Sequence, residues 1–199
     1  MTETVDTAEL RDVGPFRIRT ATIDDAEALV GYLREILADR MASIADLDEM
    51  MLDVHRQREH LRRLQQRTDS LALVAVHGDE IIGYLSLEPG RRRKIGHTIE
   101  LGMSVREDWR RKGVGRGLIR RAEVWAMRND RIEKISLNVF SDNEAALKLY
   151  ESCGFVVEGR LIGQVKIGDE YQDLILMGKF LRGSRGYGEG KKWKGSGKV

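Results

Sequence analysis

Hydrophobic positions recur along this chain with two distinct periods. Phe16-Arg17-Ile18-Arg19 alternates apolar and basic residues after Pro15, which predicts a short first strand. Leu29, Val30, Leu33, Ile36 and Leu37 fall at helical spacing behind Asp24-x-x-Glu27, a capping-box pattern. They predict a helix over about 24–38. Leu47, Met50, Met51, Val54, Leu61 and Leu64 predict a second helix over about 46–66, with its methionines as core filler. The apolar runs 71–77 and 81–88, joined by Gly78-Asp79-Glu80, have the form of a hairpin that Pro89-Gly90 ends. A strand is predicted over 97–105. After a polar stretch, Arg106 to Lys112, come glycines 113, 115 and 117; Leu118, Ile119, Ala122, Trp125 and Ala126 then mark a helix to about 129. Residues 133–140 read as a strand. Ser141-x-x-Glu144 is a second capping box, opening a helix that stops at Cys153-Gly154. Two long strands flank Gly168-Asp169. The order β-α-α-β-β-β-α-β-α-β-β predicts a mixed α/β single domain.

Composition narrows the class. The 199 residues are 41% hydrophobic and 33% charged, which suits a soluble globular protein with a real core. Cys153, the single cysteine, excludes a disulfide framework and a Cys-rich zinc site. It suits a reducing compartment, so a cytoplasmic location is expected. No run approaches the ~18 apolar residues of a membrane-spanning helix. The acidic N-terminus has no apolar stretch of the kind a secretory signal needs. No metal site is expected. His55 and His60 lie off a common helical face, and His77 and His97 fall on separate strands.

The net charge of +2 is unevenly distributed. Residues 1–15 form an acidic arm of −3, residues 182–199 form a Gly/Lys-rich tail of +5, and the body 16–181 is neutral. The tail shows no periodicity and is predicted to be mobile. Arg91-Arg92-Arg93-Lys94 is a solvated basic turn or a phosphate or nucleic-acid contact. A neutral body without a recognised nucleic-acid module leaves the tail as the one nonspecific contact for RNA.

The loop Arg110-Arg111-Lys112-Gly113-Val114-Gly115-Arg116 sits between a predicted strand and an amphipathic helix. Glycines admit close backbone approach, and the new helix presents unpaired N–H groups with the positive end of its dipole. Flanking Arg and Lys add charge, so a phosphate or pyrophosphate is the expected ligand. The P-loop pattern G-x-x-x-x-G-K-[ST] is absent. The dinucleotide fingerprint fails too, because Leu118 stands where its third glycine belongs. What remains is R-x-x-G-x-G from Arg110. Further on, Asn143 to Phe155 has the form N-x-x-A-x-x-L-Y-x-x-x-G-F.

With these two motifs in this order, the chain resembles the GCN5-related N-acetyltransferase (GNAT) superfamily over about residues 16–180. The resemblance implies a mostly antiparallel sheet flanked by helices, with acetyl-CoA as co-substrate and no metal. By position, Arg110, Arg111, Lys112, Gly113, Val114, Gly115 and Arg116 would hold the pyrophosphate, with Gly113 and Gly115 allowing the approach. Met103, Ser104 and Val105, on a strand that splays from its neighbour, would bind the pantetheine arm through their backbone. Asn143 would lie near the same arm or cap its helix.

Tyr150 matches the family's general acid. A thiol leaving group has a pKa of about 8.5, so a phenol of pKa about 10 can protonate its sulfur. Without the motif, Tyr150 would read as a core tyrosine beside Ala146, Leu149 and Cys153. Glu100 is the candidate base for the attacking amine, directly or through water, or else a surface carboxylate. The ribosomal-protein alanine acetyltransferase branch has a glutamate base five residues before the motif asparagine. Asn138 stands there instead, which argues against that branch. Cys153 reads as a packed helix residue, since the family transfers directly. The resemblance associates specificity with the segment between the first two helices, Ala38 to Glu49. Its Asp39, Asp46, Asp48 and Glu49 could attract a cationic amine or serve a helix N-terminus. The expected acceptor is a polyamine, an amino acid or a protein amine. A catalytically silent acyl-CoA-binding module is the alternative. A homodimer is possible on family grounds.

Overall fold

The computed structural model describes residues 15–38, 53–90 and 92–181. The basic tail, most of the acidic arm, residues 39–49 of the specificity segment, the first part of the second predicted helix, and Arg91 lie outside the described residues.

Seven strands form one sheet in the order β1-β2-β3-β4-β5-β7-β6. They are β1 (Arg17–Thr20), β2 (Leu71–His77), β3 (Glu80–Pro89), β4 (Thr98–Val105), β5 (Lys134–Phe140), β6 (Val156–Ile167) and β7 (Glu170–Phe180). Every neighbouring pair is antiparallel except β4 and β5. The helices are α1 (Ala26–Ala38), α2 (Val54–Gln65), α3 (Val114–Met127) and α4 (Glu144–Ser152). The predicted element order and the mostly antiparallel α/β architecture both hold.

Alternation along the strands feeds two cores, one on each face. Ala72, Val74, Val76, Ile81 and Tyr84 meet Leu29, Leu33 and Ile36 of α1 and Leu61 and Leu64 of α2. On the other face, Leu73, Leu85, Ile99, Ile135 and Met177 meet Leu118, Ile119 and Ala122 of α3 and Tyr150 of α4. Leu29, Leu61, Leu85 and Leu118 are all 0% exposed. Each such leucine contributes about 1.5–3 kcal/mol of burial.

The helix starts differ from the sequence reading, each time because a side chain found a better partner. Asp24-x-x-Glu27 does not cap α1. The entry turn, residues 23–25, is instead tied at Thr22, whose backbone N–H (2.7 Å) and hydroxyl (3.1 Å) donate to Asp25. The same carboxylate accepts two bonds of 2.6 Å from Arg19 on β1. Asp53, in an extended conformation, caps α2 by accepting from the Arg56 N–H, so α2 opens at Val54 and does not run unbroken through Asp53; the predicted stretch 46–52 lies outside the described residues. Asn143, not Ser141, caps α4, while Glu144 pairs with Lys148 one turn on.

Asp25 is 8% exposed, and its interactions fix where α1 leaves β1. Burial would raise its pKa, but the bonds from Arg19 and Thr22 outweigh it and hold the carboxyl below its ordinary value. A lowered pKa stabilises the fold above the unfolded-state value of about 4, and this contribution is lost as pH falls. Asp25→Ala is expected to cost about 2–3 kcal/mol at pH 7. Urea unfolding of both proteins should show the difference shrinking towards pH 3.

Candidate active site

The β4–β5 ladder has three rungs only. Thr98, Ile99 and Glu100 pair with Lys134, Ile135 and Ser136, and there the pairing stops. Beyond it β4 stays paired with β3 as far as Val105, and β5 stays paired with β7 as far as Phe140. A wedge therefore opens inside the sheet, flanked by backbone groups of β4 that no strand satisfies on that side. A cavity of about 740 Å³ occupies it. Leu33, Ile36 and Leu37 of α1 line it from one face, and Ala146 and Tyr150 of α4 from the other.

Of the residues singled out from sequence, Glu100, Met103, Ser104, Asn143 and Tyr150 all line this cavity. Tyr150 is 6% exposed and packs edge-on against Phe155. Its hydroxyl has no hydrogen-bond partner among the described residues. No described buried side-chain oxygen is left unpartnered, so this hydroxyl opens onto the cavity. Burial, with a smaller contribution from Cys153, pushes the phenol up to about 12. Ser104 is paired with the Tyr32 hydroxyl at 3.0 Å, which ties β4 to α1. Burial likewise raises the pKa of Tyr32.

Glu100 accepts a 3.3 Å bond from Asn138 Nδ2 on β5. Asn138 thus spans the narrow end of the wedge just past the last rung and orients the candidate base. Sequence reading noted it as a missing carboxylate. Glu88 was missed altogether. It faces Glu100 across the β3–β4 register and lines the same cavity. The alternation Tyr84, Ser86, Glu88 along β3 held the signal, but the partner register was needed to read it.

The remaining predicted residues, Val105, Arg110, Arg111, Lys112, Gly113, Val114, Gly115 and Arg116, lie beyond the cavity lining, where β4 hands over to α3. Trp109, 8% exposed within the polar stretch, anchors this corner against Phe16 and His77, and Lys112 sits over its ring. Arg106 is held by Asp108 and Glu80. Arg110 Nε donates to Val105 O at 3.3 Å, and Arg116 donates to the Ser152 hydroxyl at 2.9 Å. Gly113 adopts φ 89° at the N-cap of α3 and brings no capping side chain. The first N–H groups of α3 are therefore free for an anion. Gly115 serves packing: a Cβ there would stand 2.9 Å from Leu149 Cδ2 and 3.4 Å from Met103 Cε. Its small size lets α3 approach α4 and β4.

Among the described residues, no group of His, Cys, Asp and Glu could hold a metal, and no helix is long and apolar enough to cross a membrane.

The model of the acetyltransferase (GNAT) family matches residues 26–155. The L-amino acid N-acetyltransferase AaaT of Escherichia coli is 30% identical over 117 residues, 59% of this chain and 72% of that protein. The spermidine N(1)-acetyltransferase of Vibrio cholerae is 36% identical over 94 residues, 45% of this chain. The match spans about half of that protein, 54% of its length. The structure of yncA from Salmonella typhimurium, solved with its cofactor acetyl-CoA, superposes with a TM-score of 0.76 at 21% identity. It covers 86% of this chain and 97% of its own.

Asn143 Oδ1 accepts from the Ala146 N–H at 3.1 Å. Asn143→Ala should lower stability by about 1 kcal/mol, and Asn143→Asp should restore most of it. Chemical denaturation of the three proteins checks this.

Proposed function

The chain belongs to the acetyltransferase (GNAT) family, and from that premise we propose that it transfers the acetyl group of acetyl-CoA directly to an amine. The observation that carries this reading is the wedge itself, where a carboxylate on β4 and a buried phenol on α4 line one cavity. An extended amide-bearing arm can pair with the free β4 edge at Met103, Ser104 and Val105, as an added strand would. The uncapped N–H groups at Val114, Gly115 and Arg116 can hold its pyrophosphate, with Arg110, Arg111 and Lys112 adding charge. The acceptors named for the two curated relatives, amino acids and spermidine, are both amines.

Protonated amines have a pKa of about 10 and cannot attack. Glu100 takes a proton from the ammonium, directly or through water, while Asn138 steadies its carboxylate. The amine nitrogen then forms its bond to the acetyl carbon as the carbon–sulfur bond breaks. Tyr150 gives its proton to the departing sulfur, and the proton that the acetylated nitrogen sheds as it becomes an amide restores the phenol. A phenol raised to about 12 remains protonated at every working pH, so it is always loaded as an acid.

Tyr150→Phe should leave acetyl-CoA affinity within a factor of about three and lower kcat by about 10²–10⁴-fold. Because the Tyr150 pKa is raised, wild-type kcat should show no loss from this group between pH 8 and 10. Calorimetric titration of acetyl-CoA and the rate of thiol release check both points. Unaltered turnover in the variant would remove Tyr150 from the chemistry.

A further inference from the structure

Glu88 and Glu100 stand directly opposite each other on adjacent antiparallel strands. Their side chains share a face, with Cβ atoms about 5 Å apart, and like charges so placed repel. Both line the cavity, and among the described residues neither pairs with a lysine or arginine. The described lining holds no lysine, arginine or histidine, and these are its two charged groups; the neighbouring basic group that feels Glu88 is His60 of α2, outside the lining. A separate observation marks the same space as a binding site. The Tyr150 hydroxyl belongs to a residue 6% exposed, has no partner among the described residues and opens into it. Leu33, Ile36 and Ile95 supply aliphatic surface beside the carboxylates.

Resting on the acetyl-transfer reading above, we propose that the acceptor is an aliphatic di- or polyamine and that Glu88 holds the ammonium that does not react. Glu100 faces the reacting nitrogen. The second cation relieves the repulsion between the two carboxylates, and the methylene chain lies on the leucine and isoleucine surface. A zwitterionic α-amino acid fits poorly. Its carboxylate would enter beside two others with no lysine, arginine or histidine in the described lining to receive it. Glu88 is therefore a specificity-determining residue.

Two readouts on the full chain separate this inference from the reading beneath it. In thiol-release assays with acetyl-CoA, spermidine and 1,4-diaminobutane should exceed L-leucine and L-methionine in kcat/KM by at least 100-fold. Glu88→Gln should raise the KM for spermidine by at least tenfold with kcat changed less than threefold, and Glu88→Asp should recover most of the loss. Its melting temperature should not fall, because a repulsion is removed. Calorimetric titration of spermidine in the presence of CoA gives the second readout, independent of turnover. Wild type should bind, Glu88→Gln should bind at least tenfold more weakly, and L-leucine should not bind. An amino acid turned over or bound as well as spermidine overturns the inference, as does a Glu88→Gln variant with unchanged spermidine KM and affinity. Spermidine binding that depends on Glu88 without thiol release would sustain Glu88 as the ammonium site and overturn acetyl transfer.

Discussion

Strand pairing between β4 and β5 stops after Glu100 and Ser136, and the candidate site takes its shape from that stop. Each strand remains fully laddered on its outer side, β4 to β3 and β5 to β7, so the wedge is held open by rigid walls. A buried backbone without partners would be costly, and the cavity keeps it accessible to an incoming chain. The same gap joins the two faces of the sheet. That is how α1, packed on one side, and α4, packed on the other, line a single space.

Polarity is separated along β4. At the last β4–β5 rung it carries Glu100, opposite Glu88 of β3 in register. Its far end runs into a turn with Arg110, Arg111 and Lys112 and then into the uncapped start of α3. In the proposed function, an anionic donor and a cationic acceptor would each meet the complementary end, with the thioester between them. Fixed charges of this kind act without reorganisation at the moment of reaction. Gly115 and Trp109 maintain the geometry, the first by letting α3 sit against Leu149 and the second by anchoring the turn beneath Phe16.

Much of this was legible in the amino-acid order. Leu29, Val30, Leu33, Ile36 and Leu37 predicted the buried face of α1, and all five are buried. The run 71–77 predicted β2 to the residue. The two motifs carried the family. Local patterns failed where another side chain competed. Arg19 claims Asp25, and the capping pattern at Asp24 is bypassed. Ser141 matches a box, but the Asn143 oxygen reaches the Ala146 N–H. The pairing of Glu88 with Glu100, and the bond from Asn138, arise from strand register, which separations of 12 and 38 residues do not reveal. The packing role of Gly115 could not be read without the position of Leu149.

The central claim is that the β4–β5 wedge and the start of α3 receive one ligand together. Amide hydrogen exchange of the full chain with and without acetyl-CoA tests it most directly. Acetyl-CoA should add protection in peptides spanning 102–105 and 110–117, with none in the β6–β7 hairpin, residues 156–180. Protection confined to the start of α3, or absent from 102–105, would contradict it.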